Sequence, residues 1–156
     1  FSAMFRDRMK SMTPEQREGR FRNVGDPVKR ARFISTYEEG VESPYVFEGV
    51  GAFEAAFSKM EKDLQNGPWL LGAEMSLADI NMMPFIARIA YLDLVDVWMA
   101  DRPATKSWWE RTQALPTFRA SITDKLERSD IDAMRISGGK IKSRVAELRT
   151  QYLRGV

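Results

Sequence analysis

Val46, Val50, Phe53, Phe57, Met60 and Leu64 recur at steps of four, three, four, three and four. An α-helix sets residues at that spacing along one face, because it turns once in roughly 3.6 residues, whereas a strand alternates every two. The stripe is bounded by Ser43-Pro44, a helix start, and by Gly67-Pro68, a helix stop. A chain carrying it must cover a long apolar edge. Neighbouring helices of a bundle do this, or a coiled-coil partner. The stripe is shorter than the about three to four heptads a coiled coil uses, which favours the bundle.

The same punctuation recurs along the chain. Phe1, Met4, Phe5 and Met9 share one helical face of residues 1–10. Thr13-Pro14-Glu15-Gln16 combines an N-cap, a Pro at the first helical position and a capping-box Gln, and predicts a short charged helix to about Arg22. Asp26-Pro27 predicts a second helix, running to Glu39 with Gly40 as its stop. Trp69-Leu70-Leu71-Gly72 reads as an apolar loop pinned to the core. Ser76-Leu77-Ala78-Asp79 follows as a capping box, with Met75 and Ile80 at the two hydrophobic-staple positions. The helix it opens, Leu77 to Tyr91, is apolar on nearly every side and is expected to be central and buried, with a bend at Pro84. Asp101-Arg102-Pro103 leads into a helix carrying Trp108 and Trp109 that ends near Pro116. Phe118 to Leu126 reads as a short last bundle helix, and residues 127–139, with Gly138-Gly139, as a polar connection. Lys140 to Leu153 reads as an amphipathic helix beyond the compact body, with Ile141, Val145, Leu148 and Tyr152 on its apolar side. No strand-like alternation of useful length appears. The fold class is all-α: a helical bundle with a buried central helix and a C-terminal helical extension, divided into a domain over 1–126 and an extension over 127–156.

Composition narrows the chemistry. The chain has 156 residues, no cysteine and no histidine. Thiol nucleophiles, disulfides, thiolate or imidazole metal sites and Ser-His-Asp triads are therefore excluded, so no catalytic or metal-ligating set is assigned. Net charge is +2, unevenly placed: residues 1–36 hold nine basic and four acidic side chains, residues 37–101 three and twelve, residues 102–156 twelve and six. Basic ends flanking an acidic middle read as solvated helix faces. No nucleic-acid reading motif accompanies the charge, so no nucleic-acid partner is expected. No apolar run reaches the ~18 residues of a membrane span. The chain opens at Phe1, without an initiator Met and inside a helical pattern, which leads us to expect the C-terminal part of a longer protein.

Three segments carry a family resemblance. Gly67-Pro68-Trp69-Leu70-Leu71-Gly72, Ser76-Leu77-Ala78-Asp79-Ile80 and Trp108-Trp109 with Ala114-Leu115-Pro116 follow one another in the order of the C-terminal domain of cytosolic glutathione transferases. The Ser-x-x-Asp box with its staple, after an apolar Trp-Leu-x-Gly loop and before an all-apolar helix, is that family's folding signature. Upstream, the turns at 12–15 and 23–27 resemble an insertion found in bacterial members of the lignin β-etherase type. The resemblance covers about residues 1–126.

It implies a cytoplasmic, dimeric detoxification enzyme of two domains. A thioredoxin-like domain, absent from this sequence, would hold glutathione and activate its thiol. The helical domain would wall the pocket of a hydrophobic, aromatic electrophile and supply part of a homodimer interface. This chain alone is then expected to be inactive. Under that alignment Phe1, Met4, Phe5 and Met9 fall late on the family's fourth helix. They form either a soft apolar substrate wall, which methionine suits, or ordinary helix packing. Arg8 places a positive charge near glutathione or an acidic substrate group, or is surface arginine. Ser76 and Asp79 are structural N-cap residues; Asp79 is a lone carboxylate in apolar surroundings whose capping role accounts for it. Trp108 and Trp109 read as core or inter-domain packing, and Arg88 as a structural residue. Two rival readings stay open: a non-catalytic interaction module, and a stand-alone ligand-binding protein.

Overall fold

The computed structural model describes residues 6 and 8–155. Residues 8–10 are helical. The longer helices are α1 (Pro14–Arg22), α2 (Pro27–Glu38), α3 (Pro44–Asp63), α4 (Leu77–Tyr91), α5 (Asp96–Met99), α6 (Pro103–Gln113), α7 (Pro116–Ser121), α8 (Arg128–Gly139) and α9 (Lys142–Arg154). Three 3₁₀ turns, Gly40–Glu42, Leu64–Asn66 and Thr123–Lys125, complete them. No strand occurs among the described residues; one isolated antiparallel bridge pairs Trp69 with Gly72. The fold is all-helical, and no helix among the described residues is long and apolar enough to cross a membrane.

The chain divides into two compact units, residues 1–51 with 143–156, and residues 52–142. In the first unit the predicted starts are present. Thr13 Oγ1 accepts from the Gln16 amide at 3.3 Å while the Gln16 side chain accepts from the Thr13 amide at 3.0 Å. Asp26 accepts from the amides of Val28 and Lys29 at 2.8 and 3.0 Å. Helix α1 buries no residue; Phe21 attaches it by meeting the rings of Phe33 and Tyr37 at 5.6 and 5.7 Å. Helix α2 ends where Gly40 turns to φ +64°, and Arg6 donates there to the Glu38 carbonyl at 2.5 Å. From α9, Arg144 forks onto Glu42 with two bonds of 2.8 Å, and Val145 and Leu148 are buried.

The second unit is built on aromatic residues. Trp98 stacks on Phe57 at 6.0 Å and tilts onto Phe53 at 5.3 Å. Trp109 lies on Trp108 at 6.3 Å and takes Phe118 edge-on at 5.4 Å. Helix α4 buries Asp79, Met83, Ile86, Ala87 and Ile89. Its remaining apolar residues are another matter: Leu77 is 75% exposed, Ile80 48% and Phe85 61%. Hydrophobicity all round predicts burial all round only if enough chain surrounds the helix, and here Leu77 and Phe85 stay largely uncovered.

Residues 127–139 are a correction. They form α8, not a polar connection. Ile131, Met134 and Gly138 share a helical face, and Met134 and Gly138 are buried. Gly138 is a contact point, not a breaker: a Cβ there would lie 1.8 Å from the Leu92 carbonyl oxygen. The short helix expected from Phe118 begins at Pro116 and ends at Ser121, and residues 123–125 tighten into a 3₁₀ turn.

Candidate functional site

Of the expected substrate wall, Phe1, Met4 and Phe5 lie outside the described residues. Arg8 is exposed, and Met9 is buried with 1% exposure.

A polar centre of the second unit gathers around Asp79, which exposes none of its surface. Its Oδ2 accepts from the Ser76 amide at 2.9 Å and the Ser76 hydroxyl at 2.8 Å. Its Oδ1 accepts from the Leu70 amide at 2.9 Å and the Trp108 indole N–H at 2.8 Å. Ser76 Oγ accepts in turn from the Ala78 amide at 3.2 Å, closing the cap. Burial by itself pushes the Asp79 carboxyl up. The amides of Leu70 and Ser76, the Trp108 indole and the Ser76 hydroxyl outweigh it and hold the group below the ordinary carboxylate range. A carboxylate kept ionised with both oxygens engaged is a fastener, not a proton acceptor. The Ser76–Asp79 half of this node was legible as a capping box. The Leu70 amide and the Trp108 indole were not, although a buried indole N–H without an acceptor costs free energy.

Two more acids lie on the apolar side of α3. Glu54 and Arg102 form a buried ion pair, 5% and 7% exposed. Arg102 also donates to the Trp98 carbonyl at 2.6 Å and to Ser58 Oγ at 3.0 Å. Glu61 reaches the first turn of α6, accepting from the Ala104 amide at 3.1 Å and from the Thr105 amide and hydroxyl, each at 2.8 Å. Desolvation raises the Glu61 pKa, and the Thr105 and Ala104 donors more than reverse it, leaving it lowered. A signal existed in the sequence: Glu54 sits four residues after Val50 and three before Phe57, and Glu61 four after Phe57 and three before Leu64. Both acids are thus on the stripe, where a carboxylate needs a partner.

Beside the Asp79 node lies an apolar cleft of about 290 Å³ lined by Met75, Ile80, Met83, Leu115, Phe118 and Ile122, with Thr117 and Ser121 adding hydroxyls. Its staple residues Met75 and Ile80 are 42% and 48% exposed, while Met83 and Phe118 are buried. The cleft is shaped for apolar matter and holds no reactive group.

The pattern of the family described as "Glutathione S-transferase, C-terminal domain" matches residues 28–116. That span contains the Asp79 node, Glu54, Glu61 and Arg102. The chain is similar to "Glutathione S-transferase TCHQD" of Arabidopsis thaliana, with 28% identity over 64 residues, 41% of this chain and 24% of the relative. The chain therefore aligns with about a quarter of that relative's length. No solved structure matches the chain. With more than half of its length inside the family pattern, and the family's capping box formed in three dimensions, this chain belongs to the glutathione S-transferase C-terminal domain family.

Proposed function

We propose that this chain is the helical half of a glutathione transferase that joins glutathione to hydrophobic, aromatic electrophiles. The family match over residues 28–116 carries this reading. In it, a thioredoxin-like domain elsewhere in the parent protein holds glutathione and activates its thiol. The helical half selects the electrophile, with Phe1, Met4 and Phe5 as the apolar wall, the buried Met9 packed behind it, and Arg8 as the cation beside it. The absence of histidine and cysteine supports this division of labour. So does the engagement of Asp79 and Glu61 as caps. The exposed Leu77, Ile80 and Phe85 support a surface that the rest of a dimeric enzyme covers. The upstream turns at 12–15 and 23–27 support a bacterial member of the β-etherase type, in which thiolate attack displaces an aryloxide from a β-aryl ether.

The test is the intact mass of the native protein, followed by glutathione-dependent turnover of aryl electrophiles and β-aryl ethers. A mass exceeding 17.9 kDa by at least about ten kilodaltons, one small domain, together with turnover, supports the enzyme. A native protein of 17.9 kDa that does not turn over sinks it in favour of a non-catalytic interaction module.

A further inference from the structure

Gly51 occupies the interior of α3, where glycine is less favourable than alanine. Its φ is not positive, so the backbone does not demand it. The ring of Tyr152 does. A Cβ on Gly51 would lie 2.4, 2.8 and 2.9 Å from Cε2, Cδ2 and Cζ of that ring. Phe47, one turn earlier on α3, meets the same ring at 6.1 Å and 65°. At the other end of α9, Arg144 grips Glu42 through its fork and holds Glu147 at 2.9 Å. The helix is thus seated at both ends, with Val145 and Leu148 buried between them. Tyr152 itself is 40% exposed, Leu153 is 59% exposed, and Gly155 turns to φ +70°.

We propose that α9 is a releasable strap latched by Tyr152, and that the notch formed by Gly51 and Phe47 is a site for one phenol ring, filled in this chain by its own tyrosine. The two holds differ in kind. The Arg144–Glu42 fork is exposed on the Glu42 side and is weakened by salt. Apolar contact is not: Val145 and Leu148 are buried, and the Tyr152 ring, 40% exposed, packs its inner face on Phe47 and the bare helix backbone. The strap is therefore held at ordinary ionic strength by Val145 and Leu148 together with the Tyr152 latch at its end. A helix of 13 residues does not persist alone in water, so a released strap unfolds.

Hydrogen exchange of the full chain, read by mass spectrometry, tests it. In Gly51→Ala and Tyr152→Ala, amides of residues 143–154 should exchange at least about tenfold faster, while those of α4 and α6 keep their wild-type rates. Tyr152→Phe should stay near wild type, because the ring and not the hydroxyl fills the notch. p-Cresol, the tyrosine side chain freed from its backbone, should restore protection to Tyr152→Ala but not to Gly51→Ala/Tyr152→Ala. Three results would overturn the proposal. The first is unchanged or greater protection of α9 in Gly51→Ala, as helix propensity alone predicts. The second is acceleration spread equally over α4 and α6. The third is p-cresol failing to rescue the single variant, or rescuing the double variant equally.

Discussion

Asp79 exposes no surface and accepts four hydrogen bonds, so removing its side chain strands donors from two other segments. An ordinary N-cap is worth about 1 kcal/mol. Asp79→Ala should cost on the order of 3 kcal/mol or more, read from urea unfolding, because buried amide and indole donors are left unpaired. The same node sets a pH dependence. The folded carboxyl titrates below its unfolded value, so the unfolded chain binds more protons through that window and stability rises with pH. The contribution is complete above the ordinary aspartate pKa and is lost as pH falls through the folded value. The stability gap between wild type and Asp79→Asn should therefore narrow on acidification below about pH 4. A gap that stays constant to lower pH would contradict the assignment.

At the scale of elements, helices α3, α4, α6 and α8 are joined by contacts that helix propensity does not register. Gly138→Ala improves propensity by roughly 1 kcal/mol. It nevertheless places a methyl group 1.8 Å from the Leu92 carbonyl oxygen, and should destabilise the chain by about 1–3 kcal/mol net. Thermal unfolding decides this, and a rise in Tm would refute the packing role. Glu61 supplies the α6 cap that Arg102, at the N-cap position, does not. Glu61→Ala should cost about 1–2 kcal/mol, with α6 amides losing exchange protection first. The starts and stops of these helices were readable because caps, prolines and glycines act within a few residues of one another. Helix α8 was not, because two adjacent glycines carry the same local signature whether they end a helix or let it approach a neighbour.

Across the second unit, the Glu54–Arg102 pair ties α3 to the segment joining α5 and α6. Breaking a buried pair leaves a buried charge without its main partner, although Arg102 also holds the exposed Asp101 at 3.1 Å and Glu54 accepts from Ser58 at 3.2 Å. Glu54→Ala or Arg102→Ala alone should therefore cost roughly 3–5 kcal/mol, while a double apolar replacement of matched volume should be far milder. A double-mutant cycle with small and additive single effects would show the pair to be incidental. Leu77→Glu with Phe85→Glu changes only exposed positions. It should leave stability within about 0.5 kcal/mol and reduce any self-association seen by sedimentation.

What the sequence determined by itself is local: the helical class, from the apolar period; the helix starts at Thr13, Asp26 and Ser76, from side chains that reach their own first turn; and the excluded chemistry, from residue types that are missing. These follow from interactions among residues a few positions apart and from composition. The tertiary structure alone decided the long-range pairings. It brought the Leu70 amide and Trp108 indole onto Asp79, Arg102 onto Glu54, Glu61 onto α6, and Tyr152 onto Gly51. It also decided which apolar residues of α4 are covered. The reason is physical: a periodic pattern shows that a side chain needs a partner, but the partner is selected by how distant segments fill space together.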